Sequence, residues 1–184
     1  MKDSFLTSAI KQFEYYKALA ERALENLSDD QFFWQHNPHS NSIAIIINHM
    51  AGNMHSRFTD FLIADGEKPW RNRDAEFEQP VMDRQRLMLY WQQGWEQLFG
   101  AISQLEPAQL EELIYIRNEG HTITEAINRQ LAHYPYHVGQ VIVIAKMLTG
   151  ERWVSLSIPK NQSRHYNAGK FSQQKGRRHF TDGI

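Results

Sequence analysis

His133 and His137 stand four residues apart in the run His133-Tyr134-Pro135-Tyr136-His137. On a helix that spacing puts both imidazoles on one face, one turn apart. Two nitrogen donors so placed reach one metal ion, although the same spacing also fits two core histidines hydrogen-bonded to neighbours. Ile127 precedes the pair and Val141 and Ile144 follow it at helical intervals. The rings therefore lie in an apolar stripe, where each ring nitrogen needs a partner, and a shared ion meets that need. His49 falls in a second apolar stretch, beside Ile45, Ile46 and Asn53. A third imidazole aimed into the same core completes a facial set of nitrogen donors with coordination positions left open. Three imidazoles without a thiolate suit one divalent ion, Zn²⁺ or Ni²⁺ before others. Pro135, inside the pair, removes a helical N–H and is expected to bend the helix or free the carbonyl of Leu131.

Other residues are candidates for supporting roles. Asn53, one turn after His49, is placed to accept the free N–H of a ligating ring. Tyr134 and Gln140 are candidates to line the same pocket, and Arg117, with His121, to border it. Arg71 and Arg73 lie in a polar stretch and are candidates to hold an anionic part of a small-molecule substrate. His36, His39, His55, His121, His165 and His179 have no partner at ligand spacing on a core face, and read as solvated or capping residues. No core-facing glutamate near the three histidines offers a general base. The sequence thus assigns no catalytic residue.

Four amphipathic helices must position these side chains. The 184 residues are 41% hydrophobic and 22% charged, a mix that supports one globular domain. The first helix is expected from about Ser4 to Leu27. A short helix follows from the capping box Ser28-Asp29-Asp30-Gln31. The second long helix, capped by Asn41 or Ser42, runs to about Ala64 and buries Ser42, Ile45, Ile46, His49, Asn53 and Phe61. Gly66 to Pro80 reads as a long loop, of the kind that is often functional. A third helix spans about Asp83 to Leu105. After a shorter segment around Glu106 to Arg117, the capping box Thr122-Ile123-Thr124-Glu125 opens a fourth helix that stops at Gly150. No stretch shows sustained strand alternation, so the fold class is all-α, with a helix bundle as the default architecture.

Composition excludes several classes. Without cysteine there is no disulfide framework, thiolate zinc site or cysteine nucleophile, and a cytoplasmic location fits. The longest aliphatic run, Ile43 to Ile47, is far below the roughly 20 apolar residues of a membrane-spanning helix. The residues after Met1 are polar and amphipathic rather than a signal core, so no membrane is expected. A net charge of −1 gives no reason to expect a nucleic-acid partner. Residues 151–184 carry seven basic against two acidic side chains, with little periodicity. They read as a loosely ordered basic extension of a domain formed by residues 1–150.

Asn41-Ser42-Ile43-Ala44 leading into Asn48-His49-Met50-Ala51-Gly52-Asn53, with the later His133-Tyr134-Pro135-Tyr136-His137-Val138-Gly139-Gln140, resembles the DinB superfamily, and more narrowly an uncharacterised bacterial branch of it. The resemblance runs from about Ser4 to Gly150 and continues into the residues beyond. It implies an antiparallel four-helix bundle in which a histidine of the second helix and an H-x-x-x-H pair of a later one bind a metal, matching His49, His133 and His137. Pro135 within the pair departs from that pattern. Characterised members include transferases and isomerases that use a low-molecular-weight thiol such as bacillithiol or mycothiol, and hydrolase activity has been suggested for others. The resemblance therefore implies a metal-dependent enzyme activating an exogenous thiol or water, in a chain that forms homodimers. The alternative is a non-catalytic, stress-related metal-binding protein.

Overall fold

In the computed structural model, which describes residues 4–182, the chain is mostly helical. Four long helices dominate: α1 (Ser4–Leu24), α3 (Ile43–Phe58), α4 (Arg84–Ser103) and α5 (Ile123–Thr149), with the short α2 (Asp29–Phe33) between the first two. The starts of α2, α3, α4 and α5 are fixed by side chains that accept otherwise unpaired N–H groups. Ser42 accepts from Ile45 and Asp83 from Arg86, while Ser28 with Gln31 and Thr122 with Glu125 form reciprocal capping boxes.

α3 packs against α4 and α5, and α1 packs against the same two, around a shared hydrophobic core. Phe13, Met50, Met54, Trp91, Trp95, Leu98, Ile127 and Tyr134 fill it and are almost wholly buried. α3 and α4 approach closely because Gly94 has no side chain. A Cβ there would stand 3.3 Å from the Ala51 Cα and 3.1 Å from the Met54 methyl.

α3 stops at Phe58 rather than near Ala64. Asp60 takes a left-handed conformation (φ 50°), and the N–H groups of Ile63 and Ala64 turn back onto its carbonyl as a separate turn. That turn still buries Phe61, which is why the apolar spacing runs past the helix end. The sequence also shows no strand pattern where the structure has an antiparallel hairpin, β1 (Leu113–Ile116) with β2 (Glu119–Thr122). Its strands are only four residues long, too short for alternation to stand out. Arg117 and Asn118 form its two-residue turn, both with positive φ (57° and 62°), the geometry that favours tight hairpins. The Asp65 carboxylate accepts both turn N–H groups at 2.8 and 2.9 Å, which ties the hairpin to the loop after α3.

Beyond Gly150 the chain forms α6 (Ser163–Phe171), which buries no residue. It then returns to α1, where His179 lies 3.1 Å from the Ser8 hydroxyl, Phe180 meets Tyr15 edge-on and Asp182 pairs with Lys11. Of the extension, Trp153 and Leu156 pack half-buried against the core, whereas α6 stays outside it. Among the described residues, no helix is long and apolar enough to cross a membrane.

Candidate metal centre

α3 and α5 bring His49, His133 and His137 together, one imidazole from the middle of α3 and two from successive turns of α5. His49 and His137 are buried and His133 is half-buried. The three rings meet through the same nitrogen. His133 Nε2 lies 3.4 Å from Nε2 of His49 and 3.0 Å from Nε2 of His137. The donor atoms of all three lie within 4.8 Å of one another. Zinc–imidazole bonds of about 2.0–2.1 Å put neighbouring nitrogens about 2.9 Å apart at right angles and about 3.4 Å apart at the tetrahedral angle. The two measured separations match that range, so this cluster could hold a metal ion. α5 continues through Pro135 as one helix.

Each ring is oriented differently on its far side. His49 Nδ1 lies 2.9 Å from Oε2 of Glu76, and His133 Nδ1 lies 3.3 Å from Oε1 of Gln130. His137 Nδ1 is buried without a close hydrogen-bond partner, and Gln140 stands beside the ring. Burial pushes the His133 pKa down to about 3, helped by the charges of His137, His49, Arg57 and Arg129. Burial, then the charge of His49, brings His137 down to about 4, with Gln140 opposing. Both rings are therefore neutral near pH 7, the form that donates a lone pair.

The surprise of the site is Glu76. It comes from a single 3₁₀ turn (Asp74–Phe77) inside the long loop, and it is almost fully buried against α3. Arg71 clamps it with two parallel bonds, Nε to Oε1 and Nη2 to Oε2, both 2.7 Å. Burial alone would raise the Glu76 pKa, but the hydrogen bonds from His49 and Arg71 and their charges lower it. Burial likewise opposes the charge on Arg71, and the bonds to Glu76 and Glu67 overcome it and raise its pKa. Phe77, next in the chain, lays its ring 4.4 Å from that of His49.

These contacts redistribute the roles read from sequence. Arg71 has its buried guanidinium paired with Glu76 and Glu67. Arg73 is exposed, with its guanidinium 4.9 Å over the Phe77 ring and 3.9 Å from the Asp74 carboxylate. Arg117 sits in the hairpin turn and reaches Glu67 at 3.3 Å. Asn53 does not bond a histidine; it accepts from the Tyr134 hydroxyl at 3.0 Å, and Glu76 takes the place expected for it. Tyr134 is a core residue packed on Phe13 and Trp95 rather than a pocket wall. His55, half-buried and stacked on Tyr90, and His121, half-buried as well, are not simply solvated. Glu76, Gln130 and Phe77 had no sequence signal beyond lying in a long loop or on the α5 stripe, since no spacing rule links position 76 to position 49.

The model of a family described as "Protein of unknown function (DUF1572)" matches residues 1–162, a span that includes the three histidines and the Glu76 loop. None of the curated proteins matches the chain.

Proposed function

The chain belongs to the DUF1572 family, and from that premise we propose that it is a metal-binding protein in which His49, His133 and His137 hold one divalent ion, Zn²⁺ or Ni²⁺, within an antiparallel four-helix bundle of DinB type. Residues 1–150 form the bundle and residues 151–184 a basic extension, in a cytoplasmic homodimer. The observation that carries the reading is the convergence of three Nε2 atoms at separations of 3.0 and 3.4 Å. Without an ion, three neutral rings can pair only part of these nitrogens with one another.

We further propose that the protein is an enzyme acting on a small electrophilic substrate, transferase-like with a low-molecular-weight thiol or hydrolase-like with water. A bound divalent ion supplies Lewis-acid chemistry, favouring the anionic form of a thiol or water at neutral pH. The chain's own part is to hold three rings neutral and fixed, and to leave coordination positions open. Arg73, exposed over Phe77, whose ring also meets that of His49, is our candidate cation for an anionic group of thiol or substrate. Gln140, beside His137, borders the site.

One observation favours the non-catalytic, stress-related alternative. The carboxylate that bonds the cluster, Glu76, is engaged on both oxygens, by Arg71 on each and by His49 on one, so it is not a free general base. The deciding experiment combines elemental analysis of the purified protein with turnover assays using bacillithiol and a model electrophile, run beside His49→Ala. About one ion per chain and a rate lost in the variant support the enzyme. Equal rates in the two proteins reject metal-assisted thiol chemistry for that pair. Metal content without turnover on any thiol or ester favours the binding protein.

A further inference from the structure

We infer that Glu76 is the positioning residue of the metal centre: its carboxylate fixes His49 as the Nδ1–H tautomer, so that the Nε2 lone pair faces the other two histidines. The inference rests on the metal reading above and adds the residue that prepares its first ligand. Three independent features of the structure converge on it.

The first is geometry. Oε2 accepts at 2.9 Å from Nδ1 of His49, and a carboxylate has no proton to give, so Nδ1 must carry one. The second is the clamp. Arg71 donates to both oxygens at 2.7 Å, which holds the carboxylate charged and leaves it one direction in which to accept from the ring. The third is clearance. A Cβ on Gly52 would stand 2.4 Å from Oε1 and 2.8 Å from the carboxyl carbon of Glu76. Only a glycine one turn after Asn48 lets the loop lay its carboxylate against α3. A ligating imidazole whose outer N–H meets a carboxylate is a better donor, and losing such a partner weakens metal binding about 10- to 100-fold.

Two substitutions separate position from charge. Glu76→Gln keeps the shape, but its amide NH₂ faces an Arg71 donor in either orientation and His49 Nδ1 as well in one of them. Gly52→Ala keeps every charged group and displaces the carboxylate, and alanine is favoured over glycine inside a helix, so weakened helix formation cannot account for a loss. The probe is Co²⁺, titrated by its visible absorption, together with ¹⁵N NMR of the histidine rings in metal-free protein. In the wild type, His49 is expected with Nδ1 protonated and Nε2 bare. Both variants are expected to show a mixed or reversed tautomer and about 10- to 100-fold weaker Co²⁺ binding. A metal-free wild type with His49 protonated at Nε2 overturns the inference, whether or not the variants fold. So do folded variants that retain the wild-type tautomer and bind Co²⁺ within twofold of wild type. A wild type that binds no Co²⁺ but shows the Nδ1–H tautomer rejects the metal reading while leaving the Glu76 contact standing.

Discussion

His133 is the hub of the cluster, since its Nε2 is the atom that approaches both other rings. His133→Ala removes one of three donors and leaves His49 and His137 as a two-coordinate remnant. Four-ligand structural zinc sites bind with roughly 10–16 kcal/mol, on the order of 2.5–4 kcal/mol per ligand, so the variant is expected to bind about 10²- to 10³-fold more weakly. Stability reports the same loss. At a free metal concentration of 100 times its Kd, the wild type gains about 2.7 kcal/mol, and the variant at that concentration about 0.4 kcal/mol or less. For a chain of this size each kcal/mol moves Tm by about 2–4 °C, so the wild type should rise about 5–11 °C and the variant about 2 °C or less. The assay is a pair of thermal melts, metal-stripped and with Zn²⁺ added, followed by circular dichroism. The stripped proteins should melt close together, because the half-buried ring of the metal-free protein has only weak partners at 3.3 Å and 3.4 Å besides His137. Equal metal-induced shifts in variant and wild type would refute the assignment of His133 as a ligand.

Two further outcomes are expected. In metal-free protein, His133 and His137 titrate in the fold at about 3 and about 4, below their ordinary 6.5; because the unfolded chain takes up the protons first, their stabilising contribution is complete above about pH 6.5 and drains away as pH falls toward 4 and then 3. Urea midpoints at pH 7, 6 and 5 should therefore fall with pH in the wild type and fall less in a His133→Ala/His137→Ala double variant; parallel curves would contradict buried neutral rings. Truncation after Pro159 removes α6 and the contacts of His179, Phe180 and Asp182 with α1, none of which reaches the core, so helical circular dichroism and metal content should be nearly unchanged, and unfolding or metal loss would make the extension an integral arm.

The sequence by itself determined the local parts of this protein. Helix starts were legible because capping is written in adjacent residues, as at Ser42 and in the Thr122–Glu125 box. The three histidines were legible because a helix converts sequence spacing directly into direction, so His133 and His137 had to share a face, and His49 had to lie with Ile45 and Ile46 in the core. The end of α3 was less so, since Asp60 adopts its left-handed turn while the apolar spacing continues to Phe61. The hairpin was hidden by its length. What only the tertiary structure decided was which groups from distant segments meet those histidines. The Glu76 loop crosses onto α3 because Gly52 leaves room for a carboxylate and Arg71 neutralises it there. Asn53, at the right spacing for the same task, is drawn instead to the hydroxyl of Tyr134, which is buried in the core and needs an acceptor. Hydrogen-bond partners within a helix follow from its period; partners between a loop and a helix follow from clearance and charge in three dimensions, and no linear pattern encodes those.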